Sequence, residues 1–122
     1  MSRVNNFERR FFTGDVLKIF SIKPPTLQVW LEKKYIDPGI KASGSGSRNV
    51  FDIIDLYRIH IFVDLLDGGL SCDVASKISK EIKLNYWPKN YQISKHCVVF
   101  LDYVMAETIV HCLISNNLDN DN

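Results

Sequence analysis

The sequence predicts a mostly α domain, a winged helix-turn-helix, with a short C-terminal strand-and-helix appendage. Three observations predict it. Segments 14–20 and 24–35 each carry an apolar stripe and are separated by only Ser21-Ile22-Lys23, the spacing of a helix-turn-helix. The Gly/Ser run "SGSGS" at 43–47 lies between short extended pieces, as a flexible hairpin tip would. The segment "IIDLYRIHIFVDLLD" is apolar around most of its circumference, which makes it the central buried helix.

Each element has local signals. Thr13 is suited to cap the first helix, with Asp15 in its first turn near the positive helix end. Val16, Leu17 and Phe20 fall on one side of that helix. Pro24 suits the first position of the second helix, where its missing N–H costs nothing. Helix two is expected to reach about Tyr35, with Leu27, Trp30 and Leu31 inward and Pro25, Gln28, Val29, Glu32 and Lys33 on the other side. Ile40 and Val50-Phe51 are expected to pair as strands around the Gly/Ser tip. Asp52 caps the central helix and Gly68-Gly69 provides its left-handed stop. Ser71 caps a fourth helix through Ile82, striped by Val74, Ala75, Ile78 and Ile82.

The C-terminal part is less determinate. Residues 85–95 read as a break. "CVVFL", 97–101, reads as a buried strand. "MAETIVHCLIS", 105–115, reads as a closing helix, or "TIVHCLI" within it as the second strand of a hairpin. The units expected are an N-terminal extension over 1–11, the helix-turn-helix domain over 12–83, the appendage over 84–115 as a dimerisation element, and a disordered polar tail over 116–122.

Composition narrows the class. The chain has 122 residues, 46% hydrophobic and 24% charged, enough for a globular core. Its N-terminus lacks the apolar block of a signal peptide, and no apolar run approaches a membrane span, so a cytoplasmic location is expected. The net charge of +1 hides an asymmetry: residues 1–60 hold ten Lys/Arg against six Asp/Glu, and residues 61–122 hold five against eight. A basic first half suits an anionic partner such as a phosphate backbone. Cys72, Cys97 and Cys112 are far apart and form no Cys-x-x-Cys pair, so buried free thiols are expected. His96-Cys97 and His111-Cys112 could supply four zinc ligands in principle, but adjacent strand residues face opposite ways, and no metal site is expected. No catalytic array or phosphate-cradling loop appears. The chain is read as a non-enzyme without a cofactor.

The segments "PPTLQVWLEKKYIDP", "SRNVFDIIDLYRI" and "LLDGGLSCDVASKI" together resemble the DNA-binding domain of the MerR family of bacterial regulators, over roughly Phe12 to Ile82. Pro24, Thr26, Leu27, Trp30, Pro38, Arg48, Phe51, Asp55, Leu56 and Gly69-Leu70-Ser71 sit in matching places. The chain departs from the family pattern at Pro25 and Gln28, where arginine is usual, and at Val29, where an aromatic is usual. Each missing arginine removes a charge that would release counterions from a duplex. The resemblance implies sequence-specific binding of double-stranded DNA, by a bacterial or phage regulator of transcription. It implies a homodimer and a protein partner such as RNA polymerase.

On that reading the DNA-binding residues are Lys23, Thr26, Gln28, Val29 and Lys33 on helix two, and Lys41, Ser47 and Arg48 on the wing. Gln28 can bond bidentately to adenine, or is an ordinary solvated glutamine. Lys23 and Lys33 can each neutralise a phosphate, or are simply solvated. Thr26 touches phosphate or caps locally. Arg48 grips the backbone or a minor groove, or pairs with Asp52. Two other functions fit the same sequence: a protein-interaction adaptor that has kept the fold, and an architectural or excisionase-like DNA protein.

Overall fold

The computed structural model describes residues 5–40 and 48–120. Its order is β1 (Phe11–Phe12), α1 (Thr13–Phe20), α2 (Pro24–Glu32), β2 (Val50–Phe51), α3 (Ile53–Asp67), α4 (Cys72–Ser79), β3 (Asn90–Ser94), β4 (Cys97–Phe100) and α5 (Tyr103–Asn117). The protein is mostly α and contains a helix-turn-helix, α1–α2.

The α1–α2 turn is tight because Ser21 takes a left-handed conformation, φ 54°, and the Ile22 N–H closes on the Leu17 carbonyl at 3.1 Å. Thr13 is the first residue of α1 rather than its cap. The cap position is Phe12, whose N–H donates to the Asp15 carboxylate at 2.9 Å. Pro24 opens α2 as expected. That helix stops at Glu32, short of Tyr35, because Lys34 turns left-handed at φ 60°. Two side chains of α4 hold the exit: Ser76 Oγ donates to the Tyr35 carbonyl at 2.8 Å, and Lys80 Nζ donates to the Lys34 carbonyl.

The core gathers on α3, which packs chiefly against α4 and α5. Its cap is reciprocal: Asp52 accepts from the Asp55 N–H at 2.8 Å, and Asp55 accepts from the Asp52 N–H at 3.0 Å. Gly69, at φ 98°, supplies the left-handed stop. Ser71 caps α4, but that helix ends at Ser79, and residues to Ile82 continue as tight turns.

A buried carboxylate ties the loop after α2 to this frame. Asp55, 3% exposed, accepts from the Gly39 N–H at 3.0 Å and from Arg58 at 3.0 Å, and Arg58 Nε donates to the Ile82 carbonyl at 2.7 Å. Burial pushes the Asp55 carboxyl above its ordinary value, while the two N–H donors and Arg58 pull it down. Gly39 approaches so closely that a Cβ there would meet Asp55 Oδ2 at 3.1 Å.

The strands correct several expectations. Ile40 does bridge Val50, but β2 also pairs with β1, Phe11 against Phe51 and Phe12 against Val50. Phe11, assigned by sequence to an N-terminal extension, is fully buried. The break at 85–95 contains β3, antiparallel to β4. Strand β4 is not buried: Val98 and Phe100 are exposed, the latter at 79%. Residues 108–114 lie within α5, which removes the hairpin alternative for that stretch. The thiols are free but none is buried; Cys97 and Cys112 are exposed and Cys72 is half-buried.

Residues 116–120, read as part of a disordered tail, belong to the fold. Asn117 ends α5 and donates to the Ile19 carbonyl at 2.9 Å, and Asp119 forms a two-pronged ion pair with Arg9 at 2.7 and 2.8 Å. The Arg9 guanidinium holds Asp119 below the usual carboxylate range. A lowered folded value means the contribution is complete above the unfolded value and is lost as pH falls through the lowered one. Asp119→Asn is expected to cost less than about 1 kcal/mol at neutral pH, because the pair is partly exposed. Urea titrations of the two proteins at neutral and strongly acid pH should show that difference vanish in acid.

Candidate nucleic-acid interface

The second helix of the helix-turn-helix divides by face. Leu27 is buried, while Trp30 and Leu31 are half-buried against the core. The Trp30 ring meets the buried Phe62 ring edge-on at 5.0 Å, and Tyr35 stacks on Phe62 at 6.2 Å. This contact fixes the rotation of α2 about its axis. Pro24, Pro25, Thr26, Gln28, Val29, Glu32 and Lys33 are left exposed.

The sequence-derived site residues are distributed as follows. Lys23 occupies the cap position of α2, and its carbonyl accepts from the Thr26 N–H at 3.0 Å. Lys33 takes the opposite cap. Lys23, Thr26, Gln28, Val29 and Lys33 therefore share one short exposed rod, with Val29 45% exposed. The Gln28 amide donates to the Glu32 carboxylate at 3.1 Å. Gln28 is thus held along the helix by an acid one turn away, which also subtracts a charge from this face. Lys41 and Ser47 lie outside the described residues.

Arg48 is exposed and stacks over the Phe12 ring, its guanidinium carbon 4.0 Å from the ring centroid. Phe12 is the residue sequence reasoning missed. It forms the platform for Arg48 because β1 pairs with β2, which brings the start of α1 beside the return from the Gly/Ser segment. Within "RRFF" at 9–12, Arg9 and Phe11 are committed to structure, whereas Phe12 is half-buried and Arg10 exposed, and nothing local marks Phe12 as the platform.

The histidines divide as well. His60 lies half-buried in α3, where burial lowers its pKa. His111 is structural: its Nδ1 accepts from the Asn6 amide at 2.9 Å, and its Nε2 lies 2.7 Å from the Tyr57 hydroxyl. Among the described residues, no three His, Cys, Asp or Glu side chains are placed to hold a metal ion. No helix there is long and apolar enough to cross a membrane.

Comparison with known proteins places this arrangement. The chain finds no match among curated proteins. The family model for MerR HTH family regulatory proteins matches residues 12–82, from the platform Phe12 through Ile82, which is buried just after α4. That is more than half the chain, and the protein belongs to the MerR HTH family of DNA-binding transcription regulators.

Proposed function

We propose that this regulator is a winged helix-turn-helix reader of duplex DNA, in which α2 enters the major groove and the wing, residues 40–50, follows the adjacent backbone. The observation that carries the reading is the exposure of Lys23, Thr26, Gln28, Val29 and Lys33 along one short helix whose Trp30 side is anchored on Phe62. Arg48 extends that basic edge from its perch on Phe12. Lys41 and Ser47 join the contact set from the Gly/Ser segment. Gln28 reads a base edge, with adenine its natural partner; Lys23, Lys33, Lys41 and Arg48 neutralise phosphates. The reader is a cytoplasmic, nucleoid-associated protein whose bound form acts on a protein partner such as RNA polymerase.

Arg48→Ala is expected to reduce the slope of log affinity against log salt by about 1, uniformly across DNA sequences. Fluorescence anisotropy on a duplex at several salt concentrations measures it. A wild-type protein with no salt-dependent duplex binding would rule the reading out.

The domain reading over 12–83 leaves residues 84–115 for self-association. Val104, Met105 and Ile109 on α5 and Val98 and Phe100 on β4 are exposed apolar residues close together in the chain. A two-fold homodimer through this part would let two short helices with few charges sum their affinity for a pseudo-palindrome. Ile109→Asp is expected to shift sedimentation from dimer to monomer and to weaken DNA binding by tenfold or more.

A second reading, the protein-interaction adaptor, is favoured by Pro24, Pro25 and Val29 on the exposed face and by Glu32 occupying Gln28. A stoichiometric protein partner retained after nuclease treatment would support it over DNA reading.

A further inference from the structure

A cleft lined by no residue of α2 lies where α3, the loop after α4 and the start of α5 meet. It is open to solvent and has a volume of about 340 Å³. Its walls are aromatic. Tyr57 and Trp87 rings lie 5.9 Å apart, Trp87 and Tyr103 5.7 Å apart, and Phe7 closes one side. Phe7 and Tyr103 remain 59% and 42% exposed, so apolar surface is left uncovered there.

Two opposite charges line the same cleft, Lys83 and Glu107. Neither belongs to an ion pair among the described residues. An ammonium and a carboxylate on one cleft that do not close on each other can each meet the opposite charge of one ligand. The Tyr57 phenol is pushed up to about 12 by burial and by Glu107, so it stays neutral and adds no third charge. Its hydroxyl is held by His111, which fixes the ring as a rigid wall.

We propose that this cleft binds a free α-amino acid with a large aromatic side chain. Its ammonium group meets Glu107, its carboxylate meets Lys83, and its ring packs against Phe7, Trp87 and Tyr103, with the buried Tyr57 behind them. The ligand joins α3 to α5 and therefore couples the helix-turn-helix domain to the C-terminal segment. The site is independent of whether α2 reads DNA.

The test uses the full chain and three probes: L-phenylalanine, its amide, which lacks the carboxylate, and N-acetyl-phenylalanine, which lacks the ammonium. Titration is followed by the indole N–H resonance of Trp87, with Trp30 as the internal control. L-phenylalanine is expected to shift Trp87 and not Trp30, and to bind at least tenfold tighter than either derivative. Glu107→Gln should weaken L-phenylalanine tenfold and leave N-acetyl-phenylalanine unchanged. Lys83→Met should weaken L-phenylalanine tenfold and leave the amide unchanged. Equal binding of the amide or of the N-acetyl derivative would overturn the zwitterion assignment, and no shift of Trp87 with any probe would overturn the site.

Discussion

Replacing Asp55 by alanine is expected to destabilise the protein by on the order of 3 kcal/mol. The carboxylate is buried and serves three donors: the Asp52 and Gly39 N–H groups and Arg58. Alanine leaves two backbone donors without that acceptor and, among the described residues, leaves the Arg58 guanidinium bonded to the Ile82 carbonyl. The loss is larger than the intact pair contributes, because the raised Asp55 value shows that burial already costs the ionised group free energy. Asp55→Asn keeps one oxygen for the backbone donors and should cost less. Urea unfolding of the three proteins measures the order. A cost below about 0.5 kcal/mol for alanine would contradict the network. The effect also has a functional side, since Gly39 is where the chain leaves the α2 exit for the segment that returns at Arg48.

Phe62→Ala should cost about 3–5 kcal/mol, the range for emptying a buried aromatic position. Phe62 is fully buried, and it carries the Trp30 ring on its edge and the Tyr35 ring on its face. Those two contacts determine which side of α2 faces out. Phe62→Leu, which keeps a large apolar side chain, should cost much less. In Phe62→Ala in a Trp87→Phe background, at a temperature where it is still folded, the Trp30 fluorescence should shift toward that of a solvated indole, and duplex affinity should fall with it. Lost stability with unchanged Trp30 fluorescence would show that Phe62 fills the core without orienting α2.

Much of the fold was legible because its signals are local. Asp52, Gly69, Ser71 and Pro24 mark helix boundaries through groups within a turn of themselves. The α1–α2 turn was legible for the same reason. The failures are of two kinds. Strand β1 is two residues long and pairs with β2, about forty positions away, and no periodicity within "RRFF" announces such a partner. The perch of Arg48 on Phe12 depends on that same long-range pairing. The second kind concerns the β3–β4 hairpin. Apolar residues of β4 suggested burial, yet Val98 and Phe100 are exposed; hydrophobicity reports a need for cover without saying what supplies it. The candidate site was half legible. Its helix could be placed and its faces sorted, whereas the amide of Gln28 donating to Glu32 and the Phe12 platform follow only from three-dimensional contacts.

The outward face of α2 is proposed as the surface that recognises duplex DNA. Selection from a random duplex pool at two salt concentrations tests this most directly. The expected result is an enriched motif, two half-sites in inverted orientation, with total retention falling steeply as salt rises. Enrichment should weaken at one position of each half-site in Gln28→Ala, while overall retention falls without change of motif in Arg48→Ala. A pool that returns no motif, with retention indifferent to salt, would contradict the claim.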